Sequence, residues 1–331
     1  MLSHKTLLTL FILLLVNNCS KKNISENVAT EGNLSNTKLD TDPSDNSNTI
    51  IQYNFTNNPS KMKSLFESFD GVSTSSDSNY FYVSSNGIPS HNMMEGITNW
   101  QQQIPIPQDY SEDNKWSIPI KPEFSDNPLS SKTNFMKGAM AIAVNGIPIF
   151  NPLNNRGEDA NLIGELDKWG GHCGKADDYH YHLPPIHLID FVGEENPIAY
   201  SLDGFPIFGN TEKILDENLG VLNSDGSYKY HSIEQYPYFI ANMKGKVTTE
   251  GVSPENQIIP QPKTKSIRPS LTPLKGAEII KFTETGDSSF QLTYKLNNDI
   301  FTIDYYWDNL GHFYLTFTDS SGNSVTENYH R

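Results

Sequence analysis

The residues able to do chemistry gather in one short run. Gly170-Gly171-His172-Cys173-Gly174 leads through Asp177-Asp178 into Tyr179-His180-Tyr181-His182, and Pro184-Pro185 follows. Successive side chains of a strand point to opposite faces. The alternation therefore predicts His180 and His182 on one face and buried Tyr179 and Tyr181 on the other. The two prolines, lacking backbone donors, close the strand. Gly170, Gly171 and Gly174 predict a loop that folds back and carries His172 toward the pair. Three imidazoles arranged so make a transition-metal site with an open position. Imidazole suits zinc, copper, iron or nickel, and an added thiolate favours zinc or copper. Cys173, Asp178 and His91 are further candidate ligands. Asp177 and Asp178 read either as partners that fix a ligand tautomer or as ordinary turn residues. The competing reading of the histidines is plain polar packing, each ring bonded to backbone or a carboxylate. His187 lies beyond the prolines and off the strand. His231, in Tyr228-Lys229-Tyr230-His231, echoes the motif.

The elements that must hold this run are short strands and turns. Ser85-Asn86-Gly87-Ile88-Pro89, Val144-Asn145-Gly146-Ile147-Pro148 and Leu202-Asp203-Gly204-Phe205-Pro206 share one pattern, at starts 59 and then 58 residues apart. Asn-Gly and Asp-Gly predict type I′ hairpins. The proline in each return strand predicts an edge or a bulge. Such echoes arise from duplication or from common turn chemistry. Helical spacing is confined to 59–69, with Asn58 as N-cap and Pro59 as first residue, and to 158–169 and 211–222. Strands are expected at 277–283, 289–296, 300–307 and 312–319, a terminal meander. The fold class is mainly β, with few short helices and a small C-terminal antiparallel β module.

Lys5 and the apolar run from Leu7 to Val16 have the shape of an export signal, too short to span a bilayer. The run ends near Cys19, as in a lipobox, so residues 1–19 are expected to be a leader and Cys19 the lipid-bearing residue. The Ser, Asn and Thr-rich stretch 20–50 is expected to be a flexible tether. A β-rich domain at 51–246, a Pro and Thr-rich connector at 247–270 and the β module at 271–331 complete the organisation. With Cys19 lipidated, Cys173 has no intramolecular partner, which excludes a disulfide framework. Lys and Arg number 24 against 39 Asp and Glu, a formal charge of −15. That excludes nucleic acid as a partner and electrostatic docking on anionic lipid. The only membrane contact expected is through the lipid, at the cell envelope.

Through His172, Tyr179-His180-Tyr181-His182 and Ser201-Leu202-Asp203-Gly204-Phe205-Pro206-Ile207-Phe208-Gly209, the chain resembles the YHYH protein family. The resemblance covers roughly residues 75–245. It implies an exported bacterial protein and leaves the activity undefined. It also implies two cysteines that pair in relatives; Trp169 and Asn242 stand at the matching places here.

Three functions are consistent with these residues. The first is metal binding through His172, His180 and His182. The second is metal-assisted hydrolysis on the same site, with Glu165, Asp177 or Asp178 as base. The third is a metal-free binding or adhesion module for glycan or protein, with structural histidines.

Overall fold

The computed structural model describes residues 55–331. The leader, Cys19 and the 20–50 tether lie outside the described residues. The fold is mainly β, with short helices at Pro59–Phe66 and Ile189–Val192. The first forms as expected: Asn58 Oδ1 accepts from Ser60 N and Lys61 N, and Met62 and Phe66 face the core.

An eight-stranded sheet organises the chain. In spatial order it runs Gly220–Leu222, Tyr228–His231, Pro206–Phe208, Ala199–Ser201, Ala139–Ala143, Pro148–Phe150, Tyr179–Tyr181, Gly171–Cys173. The two hairpins 139–150 and 199–208 pair back to back, with Ile142 opposite Tyr200. Each return strand then takes a parallel partner: Ile149 pairs with Tyr181, and Ile207 with Tyr230. Each parallel partner is finally flanked by an antiparallel outer strand. The sheet is thus two four-stranded halves of identical order, which identifies the sequence echo of the second and third hairpins as a structural duplication. The first echo, at 85–89, lies outside this sheet.

Two details depart from the sequence reading. Gly146 and Gly204 have positive φ, but Asn145 and Asp203 do not. Gly146 N bonds Ala143 O and Gly204 N bonds Ser201 O. These are type I turns closed by a left-handed glycine, the three-residue form, not type I′. The return strands are interior rather than edge, because Pro148 and Pro206 each stand first in their strand, where the missing donor costs no ladder bond.

Neither 158–169 nor 211–222 is helical. Asp159 Oδ1 accepts from Asn161 N and Leu162 N, and Gly164 takes a positive φ, so the chain turns after one loop. Asp216 Oδ1 accepts from Asn218 N and Gly220 N and closes a turn into the outer strand. Local carboxylate bonds of this kind compete with helix.

The C-terminal sheet runs Ala277–Gly286, Ser289–Leu296, Asp299–Trp307, His312–Thr318 and Ser324–His330 in sequential antiparallel order. The last strand escaped the sequence reading because most of it is exposed and lacks apolar alternation. The inner face carries Leu292, Ile303, Tyr305 and Leu315 into the same buried core as the tyrosines of the eight-stranded sheet. Ladder bonds Gly96 N to Ile279 O and Ile279 N to Ile97 O tie the sheets through the loop before Trp100. Within 247–270, Thr248–Glu250 and Gln257–Ile259 form a two-stranded ladder. Among the described residues, no helix is long and apolar enough to cross a membrane.

Candidate metal centre

The alternation at 179–182 holds. Tyr179 and Tyr181 are buried on one face. His180 and His182 project together on the other. His172 arrives on a strand rather than a loop, directly opposite His180 in the antiparallel register. The chain can fold back this tightly because Gly170 adopts a positive φ and its carbonyl accepts from His182 N. A Cβ on Gly171 would lie 2.5 Å from the Tyr179 hydroxyl, so only glycine lets that tyrosine cross beneath the outer strand.

Every ring is oriented by the backbone. His180 Nδ1 donates to Asp178 O (2.9 Å), and His182 Nδ1 donates to Asn151 O (2.5 Å). His172 is hydrogen-bonded by the Glu165 backbone. With Nδ1 committed as donor, the Nε2 atoms of His180 and His182 each present a lone pair. The three Nε2 atoms converge: His180 Nε2 lies 3.2 Å from His182 Nε2, which lies 3.0 Å from His172 Nε2. Tetrahedral zinc bound at ~2.0–2.1 Å would set its nitrogens about 3.3–3.4 Å apart, close to the two separations about His182 Nε2. The three ligand atoms lie within 4.8 Å of one another and form the one group of this kind among the described residues. Phe150 stacks on His180 at 4.0 Å and 16° and fixes its plane.

Burial and neighbouring imidazoles hold His182 and His172 neutral. Desolvation and the His180 charge bring His182 down to about 3. Desolvation, then the charges of His182 and His180, and also that of Arg156, keep His172 well below the ordinary histidine range.

Of the other candidate ligands, the structure brings none into the group. Cys173 alternates away from His172, is buried, and lies 3.5 Å from the Met94 sulfur. Desolvation pushes its thiol up, the opposite of an activated ligand. His91 sits on the tyrosine face, where its Nε2 accepts from the Tyr181 hydroxyl (2.6 Å) and its ring meets Trp169 and His187. Asp178 caps Ala176 N and stands 3.7 Å from His180 Nδ1, which makes it a neighbour of the trio's outer nitrogen. Asp177, at positive φ in the turn, accepts from Ile104 N and pairs with buried Arg268. His231 lies in the other half of the sheet.

The trio opens onto a cavity of about 1110 Å³. Glu165 lines it as well, its buried carboxylate accepting from Arg156 Nη2 (2.5 Å) and Asn154 Nδ2 (3.2 Å). Sequence reasoning missed Arg156, Asn151 and Phe150, though the Pro-Ile-Phe-Asn-Pro continuation of the hairpin was the signal for the last two.

Comparison with curated proteins and with solved structures finds no match. Residues 115–253 match the family described as YHYH protein, a span that holds both halves of the eight-stranded sheet. The matched span includes the tetrapeptide that carries His180 and His182, so the family match falls on the part of the chain that holds the histidine trio.

Proposed function

We propose that this domain binds a divalent transition metal of the kind imidazole suits, such as zinc or copper, through the Nε2 atoms of His172, His180 and His182. One observation carries the reading: His180 and His182, each with Nδ1 committed as donor, point their Nε2 lone pairs at one another at 3.2 Å with no proton to share, and His172 Nε2 joins them at 3.0 Å. That arrangement is repulsive without a cation at its centre. Structural histidines would instead point a donor at an acceptor, which is the argument against the metal-free adhesion reading. The protein is exported and lipid-anchored at Cys19 in this proposal, as the apolar run before that cysteine suggests.

A second reading is metal-assisted hydrolysis. It is favoured by the open side of the trio and by Glu165, a buried carboxylate lining the same cavity. Three protein ligands with a free position can present a bound water for attack, and Glu165 would take its proton.

The test is metal content and melting of residues 20–331, with and without chelator. Bound metal at about 100 times its dissociation constant stabilises the folded form by roughly 2.7 kcal/mol. The low pKa values of His182 and His172 mean that protons compete poorly at those rings, so their binding should persist below the ~6.5 at which free histidine titrates. A chain that takes up no zinc or copper, and melts identically under both conditions, would abolish the proposal.

A further inference from the structure

The cavity beside the trio carries a guanidinium held ready for a ligand. Arg156 Nε donates to Glu158 (2.6 Å) and Nη2 to Glu165 (2.5 Å). Its Nη1 has no hydrogen-bond partner among the described residues. The side chain is 44% exposed and lines the same cavity as all three histidines. Two carboxylates thus grip one edge of the fork and leave the remaining nitrogen to the cavity. A guanidinium fixed in this way loses little further freedom on binding an oxygen anion.

The loop bearing Arg156 is specific to this half of the sheet. Twenty residues separate Phe150 from Gly171, against eleven between Phe208 and Gly220 (171 − 150 − 1 and 220 − 208 − 1). The extra nine accompany the histidines. Lys175, in the turn joining the two histidine strands, also lines the cavity and makes no ion pair among the described residues. Glu165 and Asp178 line the same end of the cavity, so the guanidinium offers an anion directed donors rather than a net positive field.

We infer that the site takes an oxyanion-bearing ligand, a carboxylate or a phosphate, whose oxygens are shared between the position faced by the three Nε2 atoms and Arg156 Nη1. This rests on the metal reading for half of its geometry.

Binding of inorganic phosphate and of acetate is measured by calorimetry on zinc-loaded and on chelated protein. The variants are Arg156→Lys, which keeps the charge and loses the fork, Arg156→Gln, and Lys175→Gln. Metal content and melting temperature confirm that each variant is folded. Zinc-loaded protein should bind at least one of the two anions, roughly tenfold or more weakly in Arg156→Lys, with a smaller, salt-dependent loss in Lys175→Gln. Which probe binds assigns the anion class. If loaded protein binds neither probe, or Arg156→Lys binds as well as the parent, the inference is overturned. If the chain takes no zinc, the metal reading fails alone. Anion binding to that metal-free chain, lost in Arg156→Lys, would then keep the oxyanion site, and its absence would overturn it.

Discussion

The two halves of the eight-stranded sheet share a scaffold and differ in what it holds. Tyr179 donates to Asp167 (2.8 Å) in one half, and Tyr228 donates to Asp216 (3.0 Å) in the other. Asp167 accepts from Trp169 N and Gly171 N, and Asp216 from Asn218 N and Gly220 N. The inner tyrosines repeat as well: Asn145 donates to Tyr181, and Tyr230 donates to Asp203. His182 and His231 each bond the backbone carbonyl that follows the return strand, at Asn151 and Gly209. Where His180 stacks on Phe150, Lys229 places its ammonium 4.3 Å over Phe208. Where His172 stands, the second half has Val221. One half therefore presents three imidazole nitrogens, and the other one imidazole and a fixed positive charge. The comparison separates what the fold requires, the tyrosine anchors and the glycines beneath them, from what the site requires.

The largest expected difference is in metal. His182→Ala should abolish most of the melting gap between loaded and chelated protein, about 2.7 kcal/mol at 100-fold excess. His231→Ala should leave that gap and a stoichiometry of one per chain unchanged. Equal losses from both substitutions would show that the halves act together and that the trio is not the site.

The scaffold identity permits a constructive test. His231 already carries a backbone-oriented Nδ1, and its buried Nε2 has no partner. Val221→His with Lys229→His would restore the missing pair and remove the competing charge. Metal content should rise from one to two equivalents. A folded double variant that still binds one would mean that the loop at 151–166, nine residues longer than its counterpart in the second half, is needed to build a site.

Much of this was legible beforehand, and the reasons are local. Two-residue alternation ended by prolines dictates the His and Tyr faces whatever surrounds them. Asn58-Pro59 starts a helix by chemistry contained in those residues. Alternating apolar positions gave four of the five C-terminal strands. The duplication was only half visible: its hairpins echo at 58 residues, but Tyr179 and Tyr228 are 49 apart, because the loop carrying Arg156 intervenes. The tyrosine–aspartate anchors and the carbonyls that set each imidazole tautomer are long-range or main-chain partners, and residue spacing does not report them. Leu162, Ile163 and Leu166 imitated helical spacing, yet Leu162 is 78% exposed, since Asp159 and Gly164 decide the backbone there.

The anchors should differ in energy despite equal geometry. Asp167 is buried, and burial raises its pKa; Asp216 is exposed. Tyr179→Phe leaves a buried carboxylate short of one donor, at a cost of about 1–3 kcal/mol, while water replaces the bond lost in Tyr228→Phe and holds the loss to roughly 1 kcal/mol or less. Since the folded pKa of Asp167 lies above its unfolded value, its carboxyl adds stability below the unfolded pKa that fades as pH rises through the folded one. Equal denaturation shifts in the two variants at neutral pH would remove burial as the distinction.

The smallest effect separates neighbouring side chains on the outer strands. Cys173 and Leu222 occupy equivalent positions, Cys173 buried against Met94 and Leu222 44% exposed. Alternation turns both away from the face that bears the histidines. Cys173→Ala should thus cost about 1 kcal/mol of packing, and Leu222→Ala less than roughly 0.5 kcal/mol. Neither should alter metal stoichiometry. The decisive readout is the visible spectrum of cobalt-loaded protein, in which a thiolate ligand gives an intense near-ultraviolet charge-transfer band and three imidazoles do not. If that band is present in the parent chain and vanishes in Cys173→Ala, the thiol ligates, the strand must rotate on metal uptake, and the trio alone does not define the centre.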